Sequence, residues 1–127
     1  MSIVDIMSNS SWIPFVTVAL LLGSVHAVSA GTNLLMIEDD ICPWCERWNE
    51  EVGVIYDKTE EGKKAPLMRV DIDDPVPEGV TLKGKARFTP TFVLLIDGAE
   101  VQRIEGYPGE DFFYPALGQM LQSVQKK

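Results

Sequence analysis

Histidine and cysteine are scarce in this 127-residue chain, which has one of the first and two of the second. A zinc site draws about four ligands from Cys, His or carboxylates, and the single histidine, His26, lies in an apolar N-terminal stretch. Attachment of a c-type haem needs histidine directly after the second cysteine of the pair, and Glu46 stands there. No metal and no other cofactor is therefore expected. Basic residues are absent before Arg47, and over the whole chain 11 Lys and Arg face 19 Asp and Glu, for a formal charge of −8. That balance disfavours nucleic acid or an anionic membrane surface as a partner. Internal repeats and low-complexity segments are also missing.

What is present is a closely spaced pair, Cys42-Pro43-Trp44-Cys45. A structural disulfide stabilises by closing a long loop, and a bridge across two residues constrains the unfolded chain very little. The spacing points instead to reversible thiol–disulfide chemistry.

The N-terminal stretch reads as an export segment. Residues from Ser11 to Leu22 are apolar except for Ser11 and Thr17, and Val28-Ser29-Ala30 supplies small residues before Gly31. Such a pattern suits signal-peptidase cleavage, which would leave 97 residues, 31–127, as one domain. The alternative is an uncleaved membrane anchor, because Trp12 to Ala30 gives 19 mostly apolar residues, near the ~20 that span a bilayer. Either way export to an oxidising compartment is expected. Cysteines in an oxidising compartment are normally locked into structural bridges, so a lone tight pair there reads as a working redox centre.

After Gly31 strands and helices alternate. Leu34 to Ile37 is a continuous apolar run suited to a buried strand. A helix should start at Cys42, with Pro43 at its first position, where a missing amide proton costs nothing. Cys45, Trp48, Val52 and Ile55 or Tyr56 form a stripe for the core, Glu46, Arg47, Asn49 and Glu50 face water, and Gly62 and Pro66 end the helix. Leu67 to Asp71 reads as a second strand. Residues 73–87 read as a loop without an assigned role. Thr91 to Ile96 reads as a strand, turned by Asp97-Gly98 into another over Glu100 to Glu105. A last helix covers Glu110 to Val124, or starts only at Pro115, because an interior proline removes a hydrogen bond. The fold class is α/β, a central mixed sheet of about four strands flanked by helices.

This order, with Thr89-Pro90-Thr91 at the head of the third strand and Pro90 45 positions after Cys45, resembles thioredoxin. The chain is more specifically similar to the SoxS-type periplasmic thioredoxins of bacterial sulfur-oxidation systems, through Cys42 to Trp48, Tyr56 to Gly62, Phe88 to Leu94 and Arg103 to Phe113. The resemblance implies a cis Pro90 beside the cysteines and a Thr89 backbone that pairs with substrate. It also implies cysteine-bearing periplasmic proteins of that pathway as partners. One departure stands out: thioredoxin buries an aspartate six positions before its first cysteine, and Met36 occupies that place. Glu38 is then the nearest candidate for proton handling, with a solvated strand-end charge as its other reading.

The expected chemistry places Cys42 at a helix N-terminus, where unpaired amides and the dipole favour a thiolate. Cys42 should attack first and Cys45, a turn further in, should resolve the mixed disulfide. Glu38, Asp39 and Asp40 oppose the thiolate by like charge, which suits a reductase more than a disulfide donor. A membrane thiol donor would have to reset the pair. Trp44 is a candidate docking aromatic, or a local cover for the disulfide. A monomer is expected. The other readings of the same residues are an oxidase or isomerase, and a non-catalytic binding or regulatory module.

Overall fold

The computed structural model describes residues 31–126. The export segment therefore lies outside the described residues, and among those described no helix is long and apolar enough to cross a membrane. The apolar run opens as strand β1 (Thr32–Glu38), followed by the short helix α1 (Pro43–Trp48). A π-helical turn (Asn49–Gly53) and a 3-10 turn (Tyr56–Lys58) lead to helix α2 (Glu60–Lys64). Strands β2 (Leu67–Asp71), β3 (Thr91–Ile96) and β4 (Ala99–Glu105) and helix α3 (Glu110–Gln125) complete the chain. The sheet order is β2-β1-β3-β4. β1 runs parallel to β2 and antiparallel to β3, which pairs antiparallel with β4. This is the mixed four-stranded sheet with flanking helices that the apolar periodicity predicts.

The helix expected to run on from Cys42 is divided. The stripe is still buried, through Cys45, Trp48, Val52 and Tyr56, whereas Ile55 is exposed. Gly53 sits against the Trp48 ring, where a Cβ would lie 3.1 Å from the indole, and Thr59 opens α2 by accepting a hydrogen bond from the Gly62 amide at 3.0 Å. Gly62 itself leaves no room for a side chain, since a Cβ would fall 1.8 Å from the Tyr56 carbonyl oxygen. α3 starts at Glu110 and runs through Pro115, so the later start is corrected. The proline is exposed near the helix start, and the Asp111 carbonyl that it leaves without an intrahelical donor can be solvated.

The two sheet faces are covered differently. Leu34, Met36, Phe92, Leu94 and Ile104 pack against Trp48, Val52, Tyr56, Phe113 and Leu117 from the helical segments. Trp48, Phe92 and Phe113 form an aromatic centre there, with ring centroids 4.8 to 5.7 Å apart. On the other face Leu35, Ile37, Val93 and Leu95 are covered by Ile72, Val80, Leu82 and Ala86. The loop without an assigned role is thus the lid of the second core. It is fastened by a bridge between Thr81 and Ala99 and by buried Glu100. The Glu100 carboxylate accepts from the Lys83 amide at 2.7 Å and from Arg103 Nε and Nη2 at 2.6 and 2.7 Å.

Candidate active site

The register brings three chain segments to one end of the sheet. Ile37, near the end of β1, pairs with Thr91 at the start of β3, and Thr91 pairs with Glu105 at the end of β4. The turn into Cys42, the Phe88-Thr89-Pro90 segment and the loop after β4 must therefore converge. Gly106 donates its amide to the Pro90 carbonyl at 2.8 Å, which holds two of these segments together. The Thr89–Pro90 peptide bond is cis.

Cys42 and Cys45 form a disulfide with their Cα atoms 5.2 Å apart. Cys42 is the N-cap of α1, in extended conformation, and Pro43 is at the first helical position. The Cys42 sulfur accepts a hydrogen bond from the Cys45 amide at 3.0 Å. This helix-start amide, which also donates to the Cys42 carbonyl at 3.1 Å, thus points at sulfur, where it favours negative charge. Both residues are buried, with Cys42 at 7% and Cys45 at 3% of full exposure. Cys42 is the more accessible of the two.

Beside the pair lies an open groove of about 680 Å³, lined by Trp44, Arg47, Phe88, Thr89, Glu105 and Tyr107 among others. Trp44 and Phe88 are 54% and 58% exposed, and Ile41, just before Cys42, is 90% exposed. Pro90 is buried behind Thr89 in sequence and does not line this groove. Arg47 is less visible in the sequence, whereas Tyr107, with Phe112, is readable there as an extension of the Trp44 surface. Periodicity alone places Arg47 on the water-facing side, although its spacing three residues after Trp44 is the signal that places both on one side of the helix. Tyr107 is almost wholly buried, Phe113 is core and Phe112 is half exposed. The Tyr107 hydroxyl foremost, together with the Arg47 guanidinium, holds the Glu51 carboxyl below its usual range. Burial, reinforced by Glu51, pushes the Tyr107 phenol up.

Glu38 is engaged elsewhere. Its carboxylate accepts from Arg69 Nη1, and among the described residues no hydrogen bond joins it to either cysteine. Arg69 also donates to Asn49 Oδ1 at 2.8 Å and to the Met36 sulfur at 3.6 Å, and its guanidinium lies 5.6 Å from the Trp48 ring centroid. Met36 is fully buried. Asp39 accepts the Ile41 amide at 3.0 Å, which shapes the turn into the motif.

A mixed β2-β1-β3-β4 sheet with a Cys-x-x-Cys disulfide capping the helix after its central strand defines a thioredoxin-fold dithiol protein. The solved structures agree. The periplasmic thioredoxin SoxS from Paracoccus pantotrophus, in its reduced form, is 44% identical over 73% of this chain and 98% of its own, with a TM-score of 0.72. The thioredoxin Mala s 13 from Malassezia sympodialis shares the fold at 20% identity, over 72% of this chain and 78% of its own, with a TM-score of 0.50. The chain belongs to the thioredoxin family, among its SoxS-type members. No family model and no curated protein matches it. The relatives and the bonded pair together support thiol–disulfide oxidoreductase activity on thiol-containing proteins.

Proposed function

We propose that the chain is a periplasmic thiol–disulfide reductase that keeps cysteine-bearing partner proteins reduced, including those of a sulfur-oxidation system. The single observation that carries this is the Cys42 sulfur at the helix N-cap, accepting the Cys45 amide beside an open groove with apolar walls. The reduced Cys42 thiolate attacks one sulfur of a substrate disulfide. The S–S bond of the substrate breaks as the mixed disulfide forms, and the leaving thiolate takes up a proton. Cys45, deprotonated, then attacks the Cys42 sulfur and expels the second substrate thiolate. Two electrons pass to the substrate and the Cys42–Cys45 bridge remains. A thiol donor at the membrane returns the pair to its dithiol form.

Thr89 supplies backbone to an extended substrate segment, Pro90 shapes that segment, and Trp44 and Phe88 meet the substrate's apolar flank. Glu38 serves the resolving thiol only through water or after leaving Arg69, because a base must be within hydrogen-bond reach of its proton. The N-terminal segment takes the chain across the inner membrane, and the domain acts as a monomer.

The reduction potential of the pair, read by equilibration in defined thiol buffers, tests this reading. A value toward about −270 mV is expected for a reductase. One toward about −120 mV would make the protein a disulfide donor, and a pair resisting reduction below about −300 mV would make the bridge structural.

A further inference from the structure

Trp44 stands half exposed on α1, and Arg47 lies against it with its guanidinium carbon 6.0 Å from the indole centroid. The same guanidinium lies 5.9 Å from the Tyr107 ring centroid. Arg47 is itself fixed from behind: its Nε donates to Glu51 Oε1 at 2.8 Å, and the Tyr107 hydroxyl donates to Glu51 Oε2 at 2.6 Å. One carboxylate thus ties the helix to the loop after β4 with both of its oxygens. The cation is held between two rings drawn from the two walls of the groove.

We propose that Arg47 is a positioning residue that holds Trp44 as one wall of the docking groove, with Glu51 and Tyr107 fixing Arg47 in turn. The inference rests on the reductase reading given above. A guanidinium stacks on aromatic faces while keeping its other donors for a carboxylate, which is the combination seen here. An indole already fixed in place loses less rotamer freedom when a partner segment arrives. The benefit falls on docking of a protein substrate and leaves the thiol exchange step to the cysteines.

The full-length chain, with dithiothreitol as donor, is assayed on insulin as a protein disulfide. Arg47→Ala should raise KM for insulin about threefold, the loss of one exposed cation–π contact, with kcat carrying little of the change. In a Trp44→Ala background the same substitution should add nothing, because the two residues then no longer interact. Arg47→Lys should recover part of the loss. An equal loss in both backgrounds, or an unchanged KM, overturns the proposal. Failure of the unaltered chain to turn over both insulin and bis(2-hydroxyethyl) disulfide would instead strike the reductase reading. Positioning has a readout of its own in that case. In a Trp12→Phe background, where buried Trp48 is the other emitter, the fluorescence anisotropy decay should gain a fast component in Arg47→Ala that is absent from Arg47→Ala with Trp44→Phe, and a decay unchanged by Arg47→Ala overturns the proposal.

Discussion

At the scale of single residues, the chemistry at Cys42 is a balance between the helix start and three neighbouring carboxylates. The structure weakens one side of it, because Glu38 is paired with Arg69, whereas Asp39 has only the hydrogen bond from the Ile41 amide and, among the described residues, no ion pair. Asp40 is exposed. The repulsion opposing a thiolate therefore comes mainly from Asp39 and Asp40. Replacing both with Asn keeps the Asp39 side-chain acceptor and removes both charges. Alkylation of reduced Cys42 by iodoacetamide at pH 7 should then speed up about twofold, the scale of exposed charge interactions; an unchanged rate would show that these charges do not tune the thiol. The motif and the Thr-Pro pair were legible because their spacing carries the information. The fate of Glu38 was not, since its partner Arg69 lies 31 positions away and meets it only through the β1–β2 register, in which Met36 is opposite Arg69.

At the scale of elements, the strands were readable to within a residue or two, because each is a short apolar run bounded by turn residues. The crossover from β1 to β2 was harder. One apolar stripe continues from Cys45 to Tyr56, so periodicity alone suggests one helix, while the backbone passes through a π turn, a 3-10 turn and a second cap. The cause is packing: Gly62 approaches the Tyr56 carbonyl as only a glycine can, and Gly53 lies so close to the Trp48 ring that a Cβ there would be tight. α3 poses the opposite case, in which a local rule overstated its effect. Pro115 is the sixth residue of the helix, exposed, and the core contacts of Phe113 and Leu117 on either side hold the helix through it. Pro115→Ala should restore the missing hydrogen bond and stabilise the domain by about 1–3 kcal/mol, less whatever the freer unfolded chain takes back. Urea unfolding would report this as a higher midpoint at unchanged slope. A lower midpoint would mean that the proline is needed where it stands.

At the scale of the whole molecule, the redox centre and Gly31, the first described residue, lie at opposite ends of β1. Gly31 is bonded to the hairpin tip, its amide donating to Asp97 Oδ1 at 2.8 Å, whereas Cys42 follows the other end of the strand, roughly 20 Å away at the rise of a strand. The groove thus lies at the end of the sheet away from Gly31. The second core depends on a lid with no helix among its described residues, and Glu100 joins the Thr81–Ala99 bridge in fastening that lid to the sheet. Its carboxylate is buried, and the Arg103 guanidinium, helped by the Lys83 amide, holds it below its usual range. A folded-state value below the unfolded one means that the ionised form stabilises the fold. This contribution is fully present above the ordinary glutamate value of about 4.3 and is lost as the pH falls through the lower folded value. Glu100→Gln removes the charge, turns one acceptor oxygen into a donor facing Arg103, and should cost about 1–3 kcal/mol at pH 7. The variant's stability should also fall less steeply than that of the unaltered chain as the pH drops below about 4.3. Parallel acid-unfolding curves for the two proteins would show that Glu100 is not the group through which acid loosens the lid.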